Sequence, residues 1–517
     1  MKRLRWDPWL MGILAVGAVL MLANLGNGRL WQDEAETAVL GRNILHFGYP
    51  CAFDGVNLVN PTLPTQGNYA WTYHSWLPIY LAAGSFSLLG VNTVSARLPF
   101  ALLGLASLWI GYRLFRRITG ELLTARLATL MLATSVPFLL HMRQCRYYAP
   151  AVFFTLWAVL AYWRFSRGRR FSGAELVVAL NLLFHADHGV FIPVAAGLGL
   201  HFLWSRPRPA DWHRAGAVAI LVLALTLPWM IYLQSWQHHR VFSFKEVSHQ
   251  IQFYFRQINR FILPAIFWGI TWLLWRRSFK DLSGAVGSPR RQAWKLVGSL
   301  LLTGILFLIF VPEQRHFRYL LFLIPWLFLI QAALLARLFQ SRRAALMAGL
   351  TAVLLLTDLF HYSAPQLLAP LDKRLYLTGR PPRSLLVEFL GELTHPYRGP
   401  IDGIVELLLK EGKPGDSVKI SYGDIPLIFY LPDRKIEPFF SSERFAEKTT
   451  PDWIILRKDW LPDGFLESPY YRKIQEGYRK ILLDAPDIPW QNRPDPGYHR
   501  FRTDVQAPPV VVFQKER

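Results

Sequence analysis

The feature that most constrains this chain is a succession of long apolar runs, such as residues 8–24, 296–311 and 320–335. Each approaches the roughly 20 residues that an α-helix needs to cross the hydrocarbon core of a bilayer. Backbone amides find no water there, so such runs must satisfy their hydrogen bonds internally, as helices. Composition agrees: 52% of the 517 residues are hydrophobic and 18% charged, against about 25% charged in ordinary soluble domains. The fold class that follows is a polytopic α-helical membrane protein, and intrinsic disorder is excluded.

A formal net charge of +22 would suggest a nucleic-acid partner if it were spread over a soluble surface. Residues 363–517, however, carry 23 Lys+Arg against 22 Asp+Glu, which leaves 34 against 13 in residues 1–362. The basic excess therefore belongs to the membrane part. Arg- and Lys-rich cytoplasmic loops and contact with anionic membrane lipids explain it, and no nucleic acid is expected.

Basic clusters at residues 113–117, 164–170, 206–214, 276–295 and 337–343 mark cytoplasmic turns, and loops near 141–147, 185–188, 234–260 and 312–319 then face the other side. About 11 spans are implied, near 8–28, 94–115, 122–140, 147–164, 173–186, 189–205, 214–233, 260–275, 296–311, 319–338 and 344–361. The run 173–186 is short enough to be half of a buried hairpin. Lys2, Arg3 and Arg5 imitate the start of a signal peptide, but the run behind them is too long and lacks a small-residue cleavage site before Trp31. It reads as a retained first span with the N-terminus in the cytoplasm. An odd number of spans then puts the C-terminus outside. Two domains are expected: 1–362 in the membrane, with a first outer loop at 29–93, and 363–517 as an outer α/β domain. In the latter, 401–411 reads as an amphipathic helix, and 417–422, 427–430, 453–456 and 510–513 read as strands.

The first outer loop opens with Trp31, Gln32, Asp33, Glu34, Ala35 and Glu36 and continues to Tyr73 and His74. Leu40, Ile44, Leu45 and Phe47 give 33–47 one apolar face, so that helix is expected to lie along the membrane interface, as is 75–89 with its Pro78. Asp33 and Glu34 fall where the first span emerges. A carboxylate held there suits a general base, although acidic residues also simply open helices. Outer loops are usually poor in Arg, yet Arg143 and Arg146 follow the third span, and Arg315, His316, Arg318 and Tyr319 precede a late one. A lipid-linked phosphate would account for them, and so would pairing with Asp33, Glu34, Glu36 or Glu313. His185, Asp187 and His188 form either a metal or substrate contact or a polar hairpin tip. Cys51 and Cys145, the only cysteines, match no metal spacing; outside the cytoplasm they either pair or remain free.

The arrangement resembles the GT-C class of membrane glycosyltransferases, specifically the protein O-mannosyltransferase and lipid A aminoarabinose transferase superfamily. The resemblance rests on four motifs in order: Asp33-Glu34-Ala35; Tyr73-His74 with Pro78; Ser95-Ala96-Arg97-Leu98-Pro99; and Arg315-His316-Phe317-Arg318-Tyr319-Leu320-Leu321. A soluble domain after the last span is usual among bacterial members. The resemblance implies inverting transfer of a sugar from a polyprenyl-phosphate carrier to a lipid or glycan acceptor at the outer face of a bacterial inner membrane. It makes Asp33 the base, Glu34 its neighbour in positioning or acceptor binding, and Arg318, with Tyr319 beside it, the holder of the leaving phosphate, to which the outer-face Arg146 and Arg143 add candidate phosphate contacts. Tyr73, His74, Arg315 and His188 would contact substrate. No cofactor is required, because a lipid phosphate already leaves readily. The Lys-Pro-Pro motif of aminoarabinose transferases is replaced here by His74-Ser75-Trp76-Leu77-Pro78, which speaks against that particular donor. A polytopic lipid or glycan transporter is the alternative, but its ionisable groups would sit at mid-membrane rather than gather at one face.

Overall fold

The computed structural model describes residues 7–205, 207–234, 244–267, 269, 289–312, 314–339, 344–361, 384–438, 450–489, 492–501 and 507–516. Its helical part comprises α1 (Pro8–Leu22), α2 (Gln32–Phe47), α3 (Leu77–Leu89), α4 (Thr93–Thr119), α5 (Leu122–Thr134), α6 (Val136–Met142), α7 (Tyr148–Phe165), α8 (Ser172–Ala186), α9 (His188–Trp204), α10 (Pro209–Leu233), α11 (Phe244–Phe261), α12 (Pro289–Phe310), α13 (Ile324–Phe339) and α14 (Ala344–Leu356). Nearly all of the second half of the expected span 260–275, most of the basic turn 276–295, and Glu313 fall outside the described residues.

Local chemistry sets the boundaries that matter for the site. The side chain of Asp7 caps α1 through the amide of Trp9 at 3.2 Å, with Pro8 in the first turn, where its missing N–H costs nothing. Asn92 and Ser95 form a reciprocal capping box at the start of α4. Gly48 ends α2 at φ 80°, a left-handed conformation in which a Cβ would be strained. The expected span 122–140 is broken at Ser135, where α5 and α6 meet at a 64° bend just before Pro137.

Among the described residues three helices are long and apolar enough to cross a membrane: α4, α10 and residues 290–310 of α12, with α5 plus α6 a fourth if the bent pair is one span. Shorter apolar helices, α1, α3, α8, α9 and 324–337 of α13, are also present, all but α3 where further spans are expected. Exposed apolar side chains run along α10, including Ile220, Leu221, Leu223 and Ile231.

Residues 34–43 of α2 are buried on nearly every side, packed between α3 and a helix of the C-terminal part, while Leu45 and Phe47 of its predicted apolar face are exposed. Its polar residues are held within the protein: Glu34, Glu36 and Arg42 each have an ionic partner there.

The C-terminal part, expected as the soluble domain, holds α15 (Leu385–Thr394), α16 (Pro400–Glu411), α17 (Asp424–Tyr430) and α18 (Pro469–Gly477). A small hairpin, β1 (Thr65–Gln66) and β2 (Ala70–Trp71), belongs to the outer loop. The main sheet has the order β4 (Lys435–Pro438), β3 (Ser417–Ile420), β5 (Trp453–Leu456), β7 (Pro509–Lys515), β6 (Tyr478–Pro486). β4, β3 and β5 are parallel, and β7 runs antiparallel to both β5 and β6. Residues 427–430, expected as a strand, are helical. Their aromatic and β-branched side chains favour a strand, but parallel β3 and β4 can be joined only by a crossover, and α17 is that crossover.

Backbone-directed contacts seat this domain on the outer loop. Asn57 Nδ2 donates to the carbonyl of Arg434 at 2.9 Å and its Oδ1 accepts from Ile436 N at 2.7 Å. Arg42 Nη1 donates to the carbonyl of Ile428 at 3.0 Å, and Asn492 Nδ2 to that of Arg29 at 2.8 Å.

Candidate active site

Adjacent residues on a helix point about 100° apart, so the first turn of α2 separates its two acids. Glu34 turns inward, is 0% exposed and forms a fork with Arg97, whose Nε and Nη2 donate at 2.7 and 2.9 Å. The amide of Cys145 adds a third bond to Glu34 at 3.0 Å. Arg97 Nη1 also bonds the carbonyls of Leu25 and Asn27 at 3.0 and 3.1 Å. Glu34 thus ties α2, α4 and the chain leaving α1 together. Arg143 acts in a similar way. Its guanidinium donates to the carbonyls of Leu20, Met21 and Ala23 at 3.1, 2.9 and 2.9 Å, at the C-terminal end of α1. Neither Glu34 nor Arg143 lines the cavity that the other groups surround. Cys51 and Cys145 are both free and buried.

Asp33 points the other way and pairs with Arg318 at 2.5 Å, across 285 residues of sequence. One turn on, Glu36 and Thr37 occupy the same face of α2 and receive Arg146, whose Nη1 donates to Glu36 Oε1 at 2.7 Å and to Thr37 Oγ1 at 3.0 Å. Arg146 Nη2 lies 2.7 Å from His74 Nε2. The same Nε2 lies 3.3 Å from Glu36 Oε1, so the imidazole sits between the guanidinium and the carboxylate. Burial, reinforced by the charge of Arg146, holds His74 below the usual imidazole range. Burial alone would raise the Glu36 carboxyl, but the charge of Arg146 and the contact with His74 override it and bring it down to about 2. The sequence motifs do not single out Glu36 as a site residue; its spacing from Asp33 on one helix is the signal that could have found it.

Thr37, His74, Arg146 and Arg318 edge a cavity of about 320 Å³, while Asp33 and Glu36 pair with the two arginines from outside its lining. At one end lie Tyr73, His74, Arg146, Tyr147, Asp187, His188, Arg318 and Tyr319; at the other lie Leu40, Ile79, Val190, Ile192, Phe307 and Val311. Arg146 Nε and Arg318 Nε are buried with no hydrogen-bond partner among the described residues. Two guanidiniums thus stand beside one cavity and make that end of it cationic. His188 Nδ1 sits 3.2 Å from Ser75 Oγ. Asp187 caps α9 by accepting from Gly189 N at 2.9 Å, and burial pushes its carboxyl up to about 6. Arg315 lies apart, 40% exposed and paired with Glu246 at 3.2 Å. Among the described residues no three His, Cys, Asp or Glu side chains gather as a metal site would need.

Arg318 also borders a second, much smaller cavity, of about 10 Å³, with Trp31, His141, Tyr148, His316, Arg493 and Asp495. The wall there from Arg493 to Asp495 belongs to the soluble domain. Burial, with Arg318 and Arg493 nearby, drives the His316 imidazole down to about 3, so its Nδ1 receives Arg493 Nη2 at 3.4 Å as a neutral acceptor.

Comparison with known proteins defines the class first. The chain has the fold of GT-C membrane proteins along its whole length: it matches ArnT from Cupriavidus metallidurans bound to undecaprenyl phosphate with a TM-score of 0.56 at 16% identity, covering 98% of each chain. The apo form of that protein matches with a TM-score of 0.57 at 15% identity, over 98% of this chain and 97% of the other. The mycobacterial arabinofuranosyltransferase AftD matches with a TM-score of 0.51 at 16% identity, over 99% of this chain but 40% of its own.

The sequence then narrows the resemblance. Residues 73–232 match the dolichyl-phosphate-mannose-protein mannosyltransferase family. An uncharacterized protein of Aquifex aeolicus (strain VF5) is 27% identical over 278 residues, 49% of this chain, and the match spans about half, 52%, of that relative. The chain is a multi-pass membrane protein that resembles the GT-C superfamily in fold throughout and in sequence across the segment holding His74 and Arg146.

Proposed function

We propose that the chain is an inverting glycosyltransferase that moves a sugar from a polyprenyl-phosphate donor to an acceptor hydroxyl at the outer face of a bacterial inner membrane. The carrying observation is the pairing of Asp33 with Arg318 at the rim of a cavity that is cationic at one end and apolar at the other. A lipid phosphate has that same division. Its phosphate would meet the unused donors of Arg318 and Arg146, with Tyr319 beside them, and its isoprenoid chain would lie along Ile192, Phe307 and Val311. Tyr73, His74 and His188 line the space left for the sugar.

As phosphate engages Arg318, Asp33 loses its counter-ion and becomes free to accept a proton. The acceptor hydroxyl gives that proton to Asp33 and its oxygen attacks the anomeric carbon opposite the phosphate. The bond from that carbon to the phosphate oxygen breaks, and the departing oxygen keeps the electron pair, stabilised by the guanidiniums. One base and a cationic clamp complete the balance. Glu34 and Arg143 serve this scheme by holding α2 and α1 in place. The N-terminus lies in the cytoplasm and the soluble domain outside.

Replacing Arg318 with Ala tests the donor site. Hydrogen bonds to charged groups contribute about 1.5–3 kcal/mol, so affinity for undecaprenyl phosphate should fall roughly 10- to 150-fold, read by native mass spectrometry of the protein in lipid nanodiscs. Unchanged affinity would remove Arg318 from the donor site.

Asp187 gives the site a pH dependence. Its pKa of about 6 is above the ordinary carboxylate value, so it is neutral below that pH and acquires a negative charge above it, inside the proposed anion site. Asp187→Asn, which can still cap α9, should bind undecaprenyl phosphate like wild type at pH 5 and several-fold more tightly at pH 7.5. Equal affinities at both values would place the Asp187 charge outside the reach of the phosphate.

A further inference from the structure

The sheet of the soluble domain has a place where chain order reverses. β4, which follows β3, lies on one side of it, and β5, which follows β4, lies on the other. All three are parallel, and in open sheets of this kind ligands bind outside the carboxyl ends of the strands at such a reversal. Tyr422 stands just beyond the carboxyl end of β3. Trp460 closes the 3-10 turn Lys458–Trp460 beyond β5. Their rings are stacked face to face, 4.0 Å between centroids and 9° from parallel. Both residues are half-buried, so part of the stack remains open beyond the strand ends.

The loops carrying the pair are held firmly. Arg457, 1% exposed, donates to the carbonyl of Ile488 at 2.6 Å and pairs with Asp487, and its amide bonds Ser421 Oγ at 2.8 Å. The stack also lies near Asp33. Asp424 Oδ1, at the start of α17, accepts from Gln32 Nε2 at 2.7 Å, which brings the end of β3 to the residue beside Asp33. The charges of Asp33 and Arg493 both act on the Tyr422 hydroxyl. Gln32 Oε1 is buried there with no hydrogen-bond partner among the described residues, an unused acceptor beside Asp33.

We propose that the Tyr422–Trp460 stack is a carbohydrate platform that seats a sugar ring of the acceptor beside Asp33. A sugar ring presents an apolar face of C–H groups that packs on an aromatic surface, while hydroxyls around its edge bond groups such as Gln32. The acceptor is accordingly a glycan or the sugar headgroup of a glycolipid. This inference rests on the transferase reading and adds its acceptor class.

Saturation-transfer NMR on the full chain in lipid nanodiscs tests it, with maltotriose, chitobiose and lactose as probes. At least one saccharide should receive saturation from the protein, with the effect lost in Trp460→Leu and kept in Trp204→Leu, whose indole is 43% exposed elsewhere. Trp460→Tyr, which retains a ring for stacking, should keep the signal and so separates loss of the platform from loss of the fold. No saturation of any probe, or equal saturation in wild type and Trp460→Leu, overturns the platform. Native mass spectrometry of the same samples with undecaprenyl phosphate separates the two readings. Donor binding persists if only the platform is wrong and is missing in wild type if the transferase reading is wrong.

Discussion

Asp33→Asn is expected to lower the rate of sugar transfer by about 10²- to 10⁴-fold, the usual contribution of a positioned general base, while donor binding is kept or tightened. Asparagine has nearly the shape of aspartate and can still hydrogen-bond, but it cannot take the proton of the acceptor. It also leaves Arg318 without its counter-ion, so the lipid phosphate no longer competes with a carboxylate 2.5 Å away. Side-chain exposures of 20% for Arg318 and 27% for Asp33 make the folding cost small, because partly exposed ion pairs contribute only about 0–1 kcal/mol. The measurement is single-turnover release or transfer from radiolabelled undecaprenyl-phosphate sugars by purified protein in lipid. A wild-type rate in Asp33→Asn would exclude Asp33 as the base.

Arg97→Leu should do the opposite, destabilising the fold by about 3–5 kcal/mol, the cost of removing one partner from a buried ion pair. Glu34 would then be a fully buried carboxylate held by the amide of Cys145 without its guanidinium, and the carbonyls of Leu25 and Asn27 would lose the bonds that Arg97 donates. Thermal unfolding in detergent should show a large fall in midpoint for Arg97→Leu and little change for Asp33→Asn. Glu34→Gln should be milder than Arg97→Leu, since the amide oxygen can still accept from Arg97, which keeps its bonds to the carbonyls of Leu25 and Asn27. Equal stabilities of Arg97→Leu and wild type would mean that the fork does not hold α2 in place. Two acids side by side in sequence are thus separable by experiment, one through stability and the other through rate.

The helical membrane part is legible in the sequence because hydrophobic run length is set by the bilayer and needs no knowledge of tertiary contacts. Asp33 and Arg318 stand out by their position at one face of the membrane. Their direct contact spans 285 residues and is visible in the sequence only as one of several possible pairings. Local pattern does not separate Asp33 from Glu34, because which face of α2 meets Arg97 is decided by how α4 packs against it. Arg143 looks like Arg146 for the same reason: both are outer-loop arginines, and only the end of α1 distinguishes them by capturing the first. In the soluble domain, 453–456 is readable as a strand from its unbroken β-branched and aromatic run. Residues 427–430 have a similar composition but must cross over between parallel strands, a requirement that composition does not express.

Arg318 borders both the large cavity and the small one beside the soluble domain. One guanidinium serving as a common wall makes the two compartments thermodynamically reciprocal: an anion in the first alters the potential felt by a guest in the second, and the guest alters anion affinity by the same factor. On the proposed mechanism the order of arrival then follows from charge: a donor phosphate that engages Arg318 frees Asp33 to take the acceptor's proton, whereas an acceptor arriving alone meets Asp33 still paired. Water occupying the acceptor's place would be subject to the same rule, so on that mechanism the activated sugar is protected from hydrolysis only while that place is filled or dry.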